Sequence, residues 1–330
     1  MKVHMSLNLI RFWVYLLNII LVILQADSCI SKLNLTMRIK EYRAQFIQEL
    51  SPIHGVEEAE SFFYLILENQ KQLKRIDLAL NSDLVFSDSD LDYWNSILKE
   101  LKKEIPIQYL LGKAHFYGLE FEVNENVLIP RPETEELVDW IIETKKSEVR
   151  SQNLRILDIG TGSGCIAISL AKNIPNAQVF AIDVSEKALA TAQKNAEMNQ
   201  TEVHFIKTDI LKTDDLENLP TSNFQLPTQF DIIVSNPPYV RNLEKEEIKK
   251  NVVDYEPHLA LFVADDNALI FYRKIAELAQ KNLAPNGQLF FEINQYLGKE
   301  MIVLLENMNF KNVELRKDIY GNDRMTLGRI

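Results

Sequence analysis

The run Leu154-Arg155-Ile156-Leu157-Asp158-Ile159-Gly160-Thr161-Gly162-Ser163-Gly164-Cys165-Ile166-Ala167 decides how the chain is read. An apolar, β-branched segment closes on a carboxylate, passes into a glycine-rich turn and opens a helix, the pattern of a buried strand feeding a ligand-binding loop. Glycine there permits positive φ and lets a ligand approach the backbone, while the helix start offers unpaired N–H groups. The spacing departs from the G-x-G-x-x-G of dinucleotide loops, so pyrophosphate is not the natural occupant. A carboxylate-led loop suits a ligand with a positive centre, a carboxylate of its own and a ribose.

Downstream segments repeat the alternation. Gln178–Ile182 reads as a second strand ending in Asp183, where an acidic side chain can take both hydroxyls of a ribose. The helix Glu186–Met198 follows, and then a third strand, Val203–Ile206, leads to Asp209 and Ile210, placed for an adenine ring. Strands alternating with helices imply a parallel sheet with these residues along its carboxyl edge. S-adenosylmethionine meets that description, and the order of signals over Glu133–Ile330 resembles a class I methyltransferase domain. The resemblance implies an α/β, Rossmann-like, mostly parallel sheet, with Asp158, Gly160, Thr161, Gly162, Ser163, Gly164, Asp183, Asp209, Ile210 and Asn236 around the cofactor. The polar insert Lys212–Thr228 departs from the pattern beside the expected adenine position.

The fourth strand, Asp231-Ile232-Ile233-Val234-Ser235, stops at Asn236-Pro237-Pro238-Tyr239, because two successive prolines supply no N–H donors to a ladder. By itself this is a proline-stiffened turn or a rigid loop offering an Asn carbonyl, proline-segment carbonyls and an aromatic face to a planar NH2 group. Beyond it, a mixed-charge helix is expected over Leu243–Lys250 and an amphipathic one over Ala268–Asn282, with a stop at Pro285-Asn286-Gly287. A strand then follows at Gln288–Ile293. Phe310–Lys317 and Arg324–Arg329 flank Tyr320-Gly321-Asn322-Asp323 and predict a hairpin, hence an antiparallel edge strand.

Upstream, Val127-Leu128-Ile129-Pro130-Arg131-Pro132-Glu133-Thr134-Glu135-Glu136 holds Arg131 extended between prolines and starts a helix at Glu133 or Thr134. It is either a linker with a helix cap or a rigid lip at which Arg131 and Glu133 shape a substrate entrance. His115–Val123 reads as a hairpin. Met37 to about Leu101 carries helical periodicity, as in Ile39, Tyr42, Phe46 and Leu50, and implies a small bundle. His54, beside Gly55, reads as a turn residue. Residues 1–36 are an apolar extension, read as sequence upstream of a true start at Met37; a secretory signal or a membrane anchor are the competing readings.

The 330 residues are 46% hydrophobic and 25% charged, a globular composition, with formal net charge −11. Such acidity disfavours a protein that grips nucleic acid by neutralising phosphates. Cys29 and Cys165 form neither a disulfide framework nor a zinc site, and the usage fits a reducing cytoplasm.

The helical bundle, the F-Y-G-L-E-F hairpin, the I-P-R-P-E-T-E stretch and the terminal G-N-D-R-M-T-L-G-R together resemble the peptide-chain release factor glutamine methyltransferase family over Met37–Ile330. The resemblance implies a helical substrate-recognition bundle at 37–112, a β-hairpin linker at 113–130 and an S-adenosylmethionine-dependent methyltransferase domain at 131–330. It implies methyl transfer to the glutamine of the G-G-Q loop of class I release factors. The acceptor amide is then expected against Asn236, Pro237, Pro238 and Tyr239, with Arg131 and Glu133 near it. An adenine amine in DNA or RNA, or a non-catalytic cofactor-binding interaction protein, are the other readings left open by the residues.

Overall fold

The computed structural model describes residues 37–148, 153–217, 219, 221 and 224–330. The extension 1–36 lies outside the described residues. Two compact units result, divided between Lys99 and Glu100.

The first unit is helical, as the periodicity predicts. Helices α1 (Ile39–His54), α2 (Val56–Lys71) and α4 (Asp88–Leu101) bury one stripe each, and the short α3 (Arg75–Leu80) buries Leu78. Ile39, Tyr42, Phe46 and Leu50 are the buried stripe of α1, at the three- and four-residue spacing that puts side chains on one face. The stripes meet at Trp94, fully buried, whose ring lies 4.9 Å from Phe63, 5.1 Å from Phe86, 5.8 Å from Tyr42 and 5.9 Å from Phe46. Its indole N–H donates to Gln70 Oε1, so burial leaves no polar orphan. Trp94→Ala should cost about 3–5 kcal/mol through the cavity it opens. A urea melt of this unit's helical signal measures it. His54 closes α1 with its ring edge-on to Phe62 at 5.1 Å, and among the described residues no cluster of His, Cys, Asp and Glu could hold a metal ion. No described helix is long and apolar enough to cross a membrane.

The second unit begins with α5 (Ile107–Leu111) and the hairpin β1 (Lys113–Phe116) and β2 (Leu119–Glu122), whose turn residues Tyr117 and Gly118 both take positive φ. Helix α6 (Pro132–Glu148) starts at Pro132, where a missing N–H costs nothing, rather than at Glu133 or Thr134. Then come β3 (Arg155–Ile159), α7 (Cys165–Asn173), β4 (Gln178–Asp183), α8 (Glu186–Met198), β5 (Val203–Lys207) and β6 (Phe230–Ser235). The short pair β7 (Val240–Arg241) and β8 (Phe262–Val263) brackets α9 (Lys250–Tyr255) and α10 (His258–Leu261). The chain ends with α11 (Ile270–Asn282), β9 (Leu283–Glu292), α12 (Gly298–Asn307), β10 (Lys311–Lys317) and β11 (Asp323–Arg329).

Seven of these strands form one sheet in the order β10-β11-β9-β6-β3-β4-β5, parallel except where β11 runs against β9 and β10. This is the class I methyltransferase architecture. Apolar side chains fill both faces: Leu157, Phe180, Ile233 and Phe291 pack under α11 and α12, and Ile156, Val179, Ile232 and Phe290 under α6 and α7.

Two further expectations need correction. No helix spans Leu243–Lys250: a 3₁₀ turn covers Asn242–Glu247, because Glu244 folds inward to accept from Arg241 and from Asn294 Nδ2 at 2.8 Å, and α9 starts afresh at Lys250. Pro285-Asn286-Gly287 does not delay the strand to Gln288. β9 starts at Leu283 and absorbs those residues as a bulge, its pairing with β6 jumping from Phe230↔Leu283 to Ile232↔Gln288.

Candidate active site

The chain moves outward from β3 to β4 and β5, then returns to lay β6 on the other side of β3. A crevice opens where strand order reverses, at the strands' carboxyl ends. Register makes this concrete: Ile159 pairs with Ile182 on one side and Ser235 on the other, so the loops after β3, β4 and β6 leave the sheet together. The Ser235 hydroxyl donates to Ile159 O at 2.6 Å and ties the first and third.

These loops border a cavity of about 290 Å³. Its walls include Gly160, Thr161, Gly162 and Ser163 after β3, Asp183 at the end of β4, Asp209 and Ile210 after β5, and Asn236, Pro237 and Pro238 after β6. Asn126 to Arg131 close one side, with Thr134 next to them, and Phe271, Ile275 and Leu259 supply apolar surface. Gly164, Glu133 and Tyr239 stand outside this lining, as does Asp158, buried just before the loop.

The glycine loop is folded by its own backbone. Gly160 and Thr161 N–H donate to Ile182 O, and Gly162 N–H donates to Asp183 Oδ2 at 2.9 Å. Gly162 holds φ +56° and a Cβ there would meet nothing within 4 Å, so the glycine leaves open space over the loop. Gly164 serves packing: at φ +83°, a Cβ would lie 2.8 Å from Ile168 Cδ1 and 3.1 Å from Ala192 Cβ. Asn195 on α8, fully buried, donates to Ser163 O and to Glu122 O and accepts from Glu122 N–H, holding the hairpin beside the loop.

Asp158 accepts from the Thr161 hydroxyl at 2.7 Å through Oδ2, and its Oδ1 is buried without a hydrogen-bond partner. Burial pushes its carboxyl up to about 7, against the Thr161 hydrogen bond and with Asp183 adding to the rise. Asp183 is also raised by burial, although Ser185 and Gly162 N–H groups bind its oxygens at 2.8 and 2.9 Å. The Asp183 carboxylate on the cavity wall, the glycine cradle beside it and the buried Asp158 carboxyl behind that cradle fit a cationic ligand bearing a ribose, so the residues present suit S-adenosylmethionine. Cys165 borders the same cavity, but burial pushes its thiol up to about 12, which leaves no thiolate nucleophile.

At the opposite wall, Asn236 Nδ2 donates to Thr134 Oγ1 at 3.3 Å. The Thr134 hydroxyl donates to Glu292 Oε2 at 2.6 Å, and the Tyr239 hydroxyl to Glu292 Oε1 at 3.1 Å. Thr134 and Glu292 are 2% and 1% exposed. Burial raises the Glu292 carboxyl, while Thr134, Arg324 and Tyr239 counter the rise. Tyr239 therefore does not offer its ring to the cavity: it packs against the core beside β9 with its hydroxyl turned inward. Arg131 borders the cavity as expected, but its guanidinium is committed to buried Glu256, which also accepts from Ile129 N–H at 3.2 Å. The lip is latched to the segment before α10 and does not present a free cation.

Asp209 caps the 3₁₀ turn Ile210–Lys212 through Leu211 N–H at 3.1 Å and pairs with Lys212 at 2.8 Å. Described residues of the 212–228 insert do not border the cavity; Phe224 stacks instead on His204 at 4.6 Å. Glu292, Glu256 and Asn195 escape sequence reasoning. Glu292 alone left a signal, as a carboxylate within the apolar run Leu289-Phe290-Phe291-Glu292-Ile293.

The chain is similar in sequence to known proteins over most of its length. The family described as methyltransferase domain matches residues 150–325, and the PrmC N-terminal domain matches 41–112. The chain is 63% identical over 289 residues to a release factor glutamine methyltransferase of Flavobacterium psychrophilum, covering 88% of this chain and 98% of that one. It is 44% identical over 288 residues to the protein of that name in Bacteroides thetaiotaomicron, covering 87% and 98%. A solved structure, the release factor-specific protein-(glutamine-N5) methyltransferase of Alicyclobacillus acidocaldarius, shares 28% identity over 63% of this chain and 98% of that chain, at TM-score 0.37.

Proposed function

The chain belongs to the release factor glutamine methyltransferase family, and from that premise we propose that it moves a methyl group from S-adenosylmethionine to the side-chain amide nitrogen of a release-factor glutamine, the one in the G-G-Q loop of class I factors. One observation carries the reading: the register of β3, β4 and β6 gathers a glycine cradle, the Asp183 carboxylate and an asparagine with an uncommitted carbonyl around a single cavity, with Asp158 buried just behind the cradle.

Gly160, Thr161, Gly162 and Ser163 would hold the amino-acid part of the cofactor, with Asp158 buried behind them and Gly164 packing the loop onto its helix, Asp183 would hold its ribose, and Asp209 and Ile210 the adenine, with Asn236 beside the reacting end. When bound, the cofactor supplies an electrophilic sulfonium methyl. An amide nitrogen is a poor nucleophile because its lone pair is delocalised, so the protein's contribution is placement. Asn236 Oδ1 and the Pro237 carbonyl accept the two N–H bonds of the glutamine amide and aim its nitrogen. Pro238 keeps the segment stiff, and the Tyr239 anchor on Glu292 fixes where the loop ends. Arg131 shapes the entrance through its bond to Glu256, and Glu133 lies next to it on the first turn of α6. Residues 37–112 act as the release-factor recognition bundle, 113–130 as a hairpin linker and 131–330 as the catalytic domain. The work is cytoplasmic.

The Asp158 environment gives a pH test. A carboxyl raised to about 7 is neutral in the free protein below that pH and, above it, is a buried anion with no cation beside it among the described residues, held by the Thr161 hydroxyl. A bound cation favours the ionised form, so cofactor binding expels a proton below pH 7. Affinity should therefore rise with pH, by up to about tenfold per unit below the raised value, and level off above it. Calorimetric titration across that range measures the slope, and Asp158→Asn should flatten it.

The enzymatic test is methyl transfer from labelled S-adenosylmethionine to purified class I release factor, run beside DNA and RNA. Label in the release factor supports the reading. Label in nucleic acid, with binding lost as salt rises, would replace it with the adenine-amine reading.

A further inference from the structure

An asparagine can act as an acceptor only if its amide is turned the right way, and its oxygen and nitrogen are nearly the same size. Nothing in N-P-P-Y itself selects one orientation. The selection comes from beneath the loop.

Thr134 stands in the first turn of α6, where a threonine ordinarily bonds the helix backbone. Here the hydroxyl bonds two side chains, Asn236 at 3.3 Å and Glu292 at 2.6 Å. A hydroxyl has one proton. Glu292 accepts it, and also accepts the Tyr239 proton on its other oxygen, as a carboxylate must. The Thr134 oxygen then has only lone pairs left for Asn236, which must meet it with Nδ2. The polarity runs one way, from Asn236 through Thr134 into Glu292, and it leaves Asn236 Oδ1 uncommitted on the cavity wall.

Resting on the methyl-transfer reading above, we propose that Thr134, held by Glu292, is a positioning residue that locks the Asn236 amide with its carbonyl offered to the N–H of the acceptor. Glu292 is the shared anchor of the pair, since one carboxylate holds both ends of the N-P-P-Y segment, Asn236 through Thr134 and Tyr239 directly. This accounts for a buried carboxylate at the carboxyl end of an apolar strand. Without the Thr134 hydroxyl, Asn236 is free to turn its NH2 toward the acceptor, where donor faces donor.

The test compares Thr134→Val, Thr134→Ala and Thr134→Ser in steady-state transfer to a release factor, with cofactor affinity and melting temperature measured alongside. Both hydroxyl-free variants should lose about tenfold or more in kcat, with cofactor affinity unchanged and KM for the release factor within about threefold, because the lost element aligns the reacting group. Thr134→Ser, which keeps the oxygen and its proton, should restore kcat to within about threefold. A role confined to stability would lower the melting temperature of Val and Ala and leave kcat alone, which overturns the proposal. So does a serine variant as slow as valine, and so does loss of the folded state in both hydroxyl-free variants, which assigns the hydroxyl to folding. A wild-type protein inactive on release factors would instead sink the functional reading on which the proposal rests.

Discussion

Asn236→Ala is expected to lower kcat for methyl transfer by about a hundredfold or more, the scale on which removal of a single preorganised polar group costs catalysis. The side chain is half-buried at the end of β6, and its only described hydrogen bond is the one its Nδ2 gives to Thr134. Truncation therefore removes little from the fold. It does remove the acceptor that would hold one N–H of the substrate amide, while the Pro237 carbonyl alone cannot fix the plane of that group. Cofactor affinity should change by less than about threefold, because the glycine loop and Asp183 are untouched. A melting curve matching wild type, together with a normal cofactor titration and lost turnover, is the expected set. Retained turnover would mean that the acceptor is held elsewhere.

Asp183→Ala should act on the other half of the site and weaken cofactor binding by about a hundredfold or more, since hydrogen bonds to a charged acceptor contribute roughly 1.5–3 kcal/mol each. Two losses combine. The ribose hydroxyls lose their acceptor, and the Gly162 and Ser185 N–H groups lose the oxygens that hold the loops after β3 and β4 in place. Equilibrium binding of the cofactor reads the effect directly. Asp183→Asn keeps an oxygen for one N–H and should fall between wild type and alanine. Equal binding by all three proteins would remove Asp183 from the cofactor site.

Most of the sheet was legible because its signals are local. Buried β-branched runs mark β3, β4, β5 and β6, and the loops that interrupt them declare themselves by glycine after β3 and by proline after β6. Parallel alternation then brings Asp183, Asp209 and Asn236 to one edge without further information. What escaped the sequence depends on partners far along the chain. Arg131 is 125 residues from Glu256, and Thr134 is 158 residues from Glu292, so no window of sequence shows that the lip is latched or that Asn236 is oriented from below. Tyr239 reads as a free aromatic face until its hydroxyl is seen to reach inward to Glu292 at the end of β9. Glu244 misleads for a related reason: in a run of charged residues it looks solvated, yet it is buried between Arg241 and Asn294, and the helix expected around it breaks into a 3₁₀ turn.

On the proposed reading, the cofactor half of the site is built by local sequence and the acceptor half is finished by long-range contacts. The proposed reaction puts the methyl on a protein amide nitrogen aimed by Asn236. The most direct measurement incubates the protein with S-adenosylmethionine and a class I release factor, digests the product and locates the added methyl by fragment mass spectrometry. One methyl on the side-chain nitrogen of the glutamine in the G-G-Q loop, absent when Asn236→Ala replaces the wild-type protein, is the predicted result; a methyl on any other residue, or none, would contradict it.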